Sequence, residues 1–98
     1  MNEDRVDRIH ALLKHAFAPE HLEVFDDSHL HDGHMGAKEG KGHFRVHIIA
    51  KQFENTRPLD RHRLVFQALG EMMETDIHAL SVSALPPPVT ANINKGLK

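Results

Sequence analysis

The order in which hydrophobic periodicity changes along the chain limits its fold more than any other feature. Apolar residues recur every three or four positions over 2–17, and again from Pro58 to Met73, which is typical of amphipathic helices. Three short runs have the character of strands: 21–26, 43–50 and 77–84. The predicted order is therefore helix, strand, strand, helix, strand.

This order predicts an α+β domain in the form of a two-layer sandwich. The first two strands pair most simply as a hairpin, whereas the strand–helix–strand crossover makes the second and third strands parallel. One sheet face is markedly more apolar, so both helices are expected to cover that face of a three-stranded mixed sheet. Period-two counting in the third strand puts His78 on the same side as Leu80 and Val82.

Length and composition indicate one globular domain. The chain has 98 residues, of which 40% are hydrophobic, enough for one modest core but with no apolar run long enough to span a membrane. The N-terminal residues 1–4 are acidic and polar rather than hydrophobic, which favours a cytoplasmic protein. The domain is predicted over 1–85. Residues 86–98 begin with three prolines, which cannot continue a sheet, and are expected to form a disordered tail.

Ten histidines and no cysteine restrict the chemistry. The chain alone can form no disulfide, thiol nucleophile or cysteinyl metal site. The formal net charge of −2 gives no overall attraction to nucleic acid. There is no Walker A or dinucleotide-binding glycine motif and no serine in a nucleophile elbow, so the sequence predicts neither an enzyme nor a small-molecule substrate.

Several histidines are candidate metal ligands. His29, His31 and His34 lie in a glycine-bearing loop that joins the first two strands, and imidazole binds zinc, copper, nickel or iron. A solvated loop is the alternative interpretation. His78 begins the third strand, where it is either a packed core histidine or a ligand held by rigid backbone. His43 and His47 alternate with apolar residues and are expected on the solvated face.

Three arginines, Arg57, Arg61 and Arg63, form a small basic cluster at the start of the second helix. Such a cluster could contact phosphate. Because Asp60 lies among them, a simple solvated face is also consistent with the pattern.

Five blocks of sequence occur in a characteristic order, and together they resemble the BolA family over about residues 3–85. The blocks are 22–28, 31–34, 43–46, 61–65 and 77–81. The resemblance implies a fold similar to a class II KH domain, with the element order predicted above.

The resemblance also implies a function. BolA-like proteins pair with monothiol glutaredoxins and share a [2Fe–2S] cluster, for which the partner supplies a cysteine and a glutathione thiol. The BolA-like chain supplies a histidine at the start of the last strand, which matches His78, and a second ligand from the loop. Counting forward from Ser28 favours His31 as that ligand, counting back from His43 favours His34, and His29 is a third choice. On this interpretation the chain alone binds no cluster.

Two alternatives remain open at this point. The same family is described as DNA-binding and transcription-regulating, in which case Arg57, Arg61 and Arg63 would approach phosphates. A lone zinc or nickel site in the histidine loop is the other possibility. Neither alternative involves a membrane.

Overall fold

A computed structural model of the protein describes residues 2–28 and 41–88, with two α-helices, a short third helix and three strands. The elements are α1 (Asn2–Phe17), β1 (His21–Asp26), β2 (Gly42–Ile49), a 3-10 helix (Lys51–Phe53), α2 (Pro58–Leu69), α3 (Met72–Thr75) and β3 (Ile77–Leu85). Strand β2 is central; it pairs antiparallel with β1 and parallel with β3. The predicted α+β class, element order and mixed sheet are confirmed.

The core lies between the helices and one face of the sheet. Its fully buried side chains come from every layer: Ile9 and Leu13 from α1, Val46 and Ile48 from β2, Phe53, Val65 from α2, and Ile77 from β3. The alternation of β2 places Phe44, Val46 and Ile48 in this core. Among the described residues, no helix covers the other face of the sheet. We call that second face the open sheet face.

The second helical segment is broken rather than continuous, which differs from the prediction. Helix α2 ends at Leu69, Gly70 adopts a positive φ of 57°, and α3 resumes at Met72. Glycine reaches this left-handed region at little cost, so it ends the first helix and redirects the chain.

The predicted orientation of His78 is wrong, because β3 has a bulge at its start. Gly42 pairs with Ile77 and His43 pairs with Ala79, so His78 is an extra residue in the ladder. The extra residue shifts the alternation by one, which buries Ile77 and leaves His78 exposed. His78 therefore does not share the core side with Leu80 and Val82, because period-two counting fails at a bulge.

Three predicted metal ligands and part of the predicted tail are not among the described residues. His29, His31 and His34 lie outside the described residues, as does the chain from Val89 onward. Strand β3 ends at Leu85, one residue beyond its predicted end and directly before the three prolines. Within residues 2–28 and 41–88, no helix has the length and apolar character needed to cross a membrane.

Candidate metal centre

Two histidines from neighbouring strands meet at the start of the β2–β3 ladder. The ring centroids of His43 and His78 are 5.0 Å apart, with an interplanar angle of 46°. His78 is exposed, whereas His43 is only 7% exposed and is the one buried polar residue of the described chain. His43 lies on the side of β2 opposite Phe44, as predicted, but the prediction that it is solvated is wrong.

The backbone amide and carbonyl of His43 are both hydrogen-bonded to the two residues that follow β1. The amide of His43 donates to Ser28 Oγ at 3.0 Å, and its carbonyl accepts from the Asp27 amide at 2.8 Å. Ser28 is itself positioned because its amide donates to Asp26 Oδ1 at 2.8 Å. A short polar turn thus fixes the backbone of one of the two histidines.

The other histidine follows an anchored turn. The carbonyl of Asp76 accepts the Gly42 amide at 3.0 Å, which ties the start of β2 to the residue before β3. The carboxylate of Asp76 accepts from Arg5 Nε at 3.0 Å and from Arg8 Nη1 at 3.3 Å. Helix α1 therefore fixes the turn that presents His78.

The charge of Asp76 makes this anchor sensitive to acid. The Thr75 hydroxyl, with the two guanidinium groups, lowers the pKa of Asp76 below its ordinary value of 3.8. A carboxylate whose pKa is lowered by folding stabilises the folded state above its unfolded pKa, and that contribution is lost as the pH falls through the folded pKa.

We predict that Asp76→Asn lowers the free energy of unfolding at pH 7 by about 1.5 kcal/mol, because hydrogen bonds to a charged group are lost. The difference from the wild type should start to shrink as the pH falls below the ordinary aspartate pKa, and it should disappear below the lowered pKa of folded Asp76, where the wild-type carboxylate is also neutralised. Urea denaturation at several pH values measures both effects. Asp7→Asn, an exposed change in the same helix, is the control, and a difference for Asp76→Asn that does not depend on pH would contradict the assignment.

A small open cavity lies beside the histidine pair. Its volume is about 230 Å³, and it is lined by Asp27, His43, Phe44, Ala79, Leu80 and Ser81. Nearby on the open sheet face, the Arg45 guanidinium lies 4.2 Å from the centroid of the Phe25 ring and donates to Asp27 Oδ2 at 3.0 Å. The pair is thus reached from a shallow, partly polar surface.

The donors of this site suit a borderline-soft metal better than a hard one. Imidazole nitrogen is a good ligand for iron, zinc or copper, and neutral imidazoles replace thiolates on one iron of Rieske-type [2Fe–2S] centres. Among the residues that the structure describes, no three histidine, aspartate or glutamate side chains are grouped to hold a metal ion. The described residues thus offer two imidazoles, those of His43 and His78, to a metal centre.

The arginine cluster of the sequence does not form one uniform surface. Arg61 donates from Nε to the Thr56 carbonyl at 3.0 Å and from Nη1 to the Ala84 carbonyl at 3.2 Å. Arg63 is exposed and lies 3.5 Å from Asp60, and Arg57 is exposed where α2 begins. Arg61 therefore joins the start of α2 to the end of β3, a structural role that the sequence did not indicate.

We predict that Arg61→Ala lowers the free energy of unfolding by about 1.5 kcal/mol, since two backbone carbonyls lose a charged donor. Arg63→Ala should change it by less than about 0.5 kcal/mol, as expected for an exposed ion pair. Thermal or urea unfolding of the two variants compares them directly. Equal stability of Arg61→Ala and Arg63→Ala would show that the Arg61 contacts do not hold the fold.

The fold and this site define a class of small α+β domains, and comparison with known proteins identifies the family. Residues 13–88 match the family described as BolA-like protein. The chain belongs to the BolA family. The BolA domain of SufE1 from Arabidopsis thaliana superposes with a TM-score of 0.76 at 35% identity, covering 85% of this chain and 92% of that domain.

Two sequence relatives show the breadth of the family. A BolA-like protein of Caenorhabditis elegans is 45% identical over 71 residues, which are 72% of this chain and 63% of that protein. The DNA-binding transcriptional regulator BolA of Escherichia coli is 37% identical over 76 residues, covering 78% of this chain and 70% of the regulator. The chain spans only 55–63% of the length of three relatives that it matches.

Proposed function

We propose that the protein is a non-enzymatic, cytoplasmic adaptor that pairs with a monothiol glutaredoxin and shares a [2Fe–2S] cluster with it. The observation that carries the proposal is the exposed His78, which the bulge presents on the open sheet face of a BolA-family chain without cysteine. Because this chain has no thiolate, a [2Fe–2S] cluster bound to it requires thiolate ligands from a partner.

The role of this chain is to hold and orient imidazole ligands. His78 lies in β3, two residues after Asp76, whose backbone and carboxylate are both hydrogen-bonded. The backbone of His78 is therefore fixed before any partner binds. The resemblance assigns the second ligand to the loop, to His31 or His34. Imidazole ligation raises the reduction potential of a [2Fe–2S] centre relative to thiolate ligation, which suits a cluster that is transferred or sensed.

Co-expression with a monothiol glutaredoxin tests the pairing. The expected product is a coloured heterodimer of one chain each, with visible absorption and circular dichroism distinct from those of the glutaredoxin homodimer. Iron and acid-labile sulfide should both be present at two per heterodimer. A glutaredoxin that elutes alone, with its homodimer spectrum unchanged, would contradict the proposal.

DNA binding is a second candidate function, and the Escherichia coli relative named as a DNA-binding transcriptional regulator favours it. Arg57 and Arg63 are both exposed near the start of α2 and could contact phosphates, whereas Arg61 is bonded to two backbone carbonyls. Specific binding should weaken steeply with salt. Binding without sequence preference, and only at low salt, would exclude this function.

A further inference from the structure

We infer that the outer edge of β3 pairs antiparallel with β3 of a second copy of this chain, which joins the two sheets into one of six strands. Strand β3 is an edge strand, and its nine residues, Ile77–Leu85, include no lysine, arginine, aspartate, glutamate or proline. Natural edge strands are usually protected against pairing by charge, by proline or by a covering element. This self-association does not depend on the cluster function proposed above.

The other edge of the sheet has the usual protection. Strand β1 contains Glu23 and Asp26 and is followed by Asp27, so two paired copies of β1 would bring acidic side chains together. Like charges on neighbouring strands disfavour pairing. Pairing between copies is therefore expected at β3 and not at β1.

The backbone of β3 has hydrogen-bonding groups on its outer side. The Leu85 carbonyl accepts from the Ala50 amide at 3.1 Å, so the backbone groups of Leu85 face the β2 side. Because these groups alternate along a strand, those of Ser81 also face β2, whereas those of Leu80 and Val82 face outward. In the part of the chain that the structure describes, no partner is bonded to the outward groups of Leu80 and Val82.

Both ends of this edge are blocked, so only its centre is open to pairing. The next outward carbonyl, that of Ala84, already accepts from Arg61 Nη1 at 3.2 Å. At the other end, the bulge at His78 interrupts the ladder, and bulges are a common device against edge-to-edge pairing. The open stretch is therefore centred on Ser81.

A two-fold axis at Ser81 makes this open stretch complementary to itself. Leu80 of each copy then pairs with Val82 of the other, and the two pairs form four backbone hydrogen bonds. The Ser81 side chains, which are exposed in the single chain, meet on the axis, where their hydroxyls can bond to each other. The symmetry of the open stretch identifies a second copy as the occupant of the edge.

Pairing would also bury apolar side chains at the rim of the core. Leu80 and Val82 pack against the core but are only partly buried, as are Leu64 and Ala68 of α2. Leu64 and Ala68 lie three and seven residues after Arg61 and so share its face of the helix, the face from which Arg61 reaches the end of β3. Because such an edge contact is small, we expect a weak dimer with a Kd in the micromolar range.

Hydrogen exchange of the full-length wild-type chain tests this pairing without any variant. Raising the protein concentration from about 10 µM to about 1 mM should slow exchange of the Leu80 and Val82 amides, which gain partners in the dimer. The Ser81 amide, which faces β2 in either state, should change much less. Sedimentation equilibrium should show monomer and dimer in exchange over the same range. A chain that stays monomeric throughout, or that gains protection elsewhere but not at Leu80 and Val82, would overturn the inference.

Charge variants at Ser81 identify the interface independently. Ser81→Lys places two ammonium groups on the axis and Ser81→Asp two carboxylates, so each variant alone should dimerise at least about tenfold more weakly than the wild type. An equal mixture should restore association, because opposite charges then face each other. Gln67→Lys, at an exposed position of α2, adds the same charge elsewhere and should dimerise like the wild type.

A dimer that Ser81→Lys and Ser81→Asp both leave unchanged would show that the copies meet through another surface. Far-UV circular dichroism checks that both variants are folded. If either is unfolded, the concentration dependence of the Leu80 and Val82 amides in the wild type decides the matter.

Discussion

Phe53→Ala is expected to lower the free energy of unfolding by about 3–5 kcal/mol, the usual cost of deleting a fully buried aromatic ring. Phe53 is 0% exposed, and its ring centroid is 5.1 Å from that of Phe17 in α1. The 3-10 helix after β2 therefore contributes a buried aromatic contact to α1. A domain of this size has a total stability of about 5–15 kcal/mol, so the loss would be severe.

Urea denaturation measures this effect, and Phe66→Ala is the matched control. The Phe66 side chain is 37% exposed on α2, so removing its ring should cost much less. Equal losses for the two variants would mean that Phe53 does not occupy the core position described above.

Gly42→Ala is the second change with a large expected effect, about 3 kcal/mol, at the upper end of the range for overpacking. A Cβ atom at Gly42 would lie 2.6 Å from two atoms of the Phe44 ring and 2.9 Å from Ser28 Oγ. Phe44 is 2% exposed and cannot move away freely. Because Ser28 also binds the His43 amide, the clash should displace the histidine pair as well as lower stability.

A double variant separates this clash from other causes. Phe44→Leu removes the ring atoms that a new Cβ would meet, so Gly42→Ala should cost less in a Phe44→Leu background than in the wild type. The free energies of unfolding of the four proteins give this interaction. Additive losses would show that the contact with Phe44 is not the reason for glycine at position 42.

The order of the elements could be predicted from the sequence because it depends on local periodicity. Helix α1 and strand β1 have the predicted bounds, and β2 is displaced by one residue. The break at Gly70 was missed because the apolar stripe continues across it to Met72 and Met73. A glycine inside a helical pattern was the available signal.

The candidate site was harder to predict, since it depends on how two strands pair. Period-two counting assumes an unbroken ladder, and the bulge opposite Gly42 reverses the side on which His78 lies. His43 alternates with apolar residues like any solvated side chain, and only the packing of β2 against the neighbouring turn shows that it is buried.

The role of Arg61 also could not be predicted from local sequence patterns. Its two carbonyl partners, on Thr56 and Ala84, lie five and 23 residues away in the chain. The sequence pattern indicated only a basic cluster at the start of a helix, because a contact with the end of β3 has no local signature. A loop ligand, His31 or His34, remains a prediction from the resemblance.

The proposed role of His78 as ligand of a cluster shared with a glutaredoxin is tested most directly by spectroscopy. The visible absorption and circular dichroism are compared for the heterodimers co-purified with the wild-type chain, with His78→Ala and with His47→Ala. We expect His78→Ala to change or abolish the cluster spectrum, whereas His47→Ala, on the same open sheet face, leaves it as in the wild type. A wild-type spectrum in His78→Ala would show that His78 is not a cluster ligand.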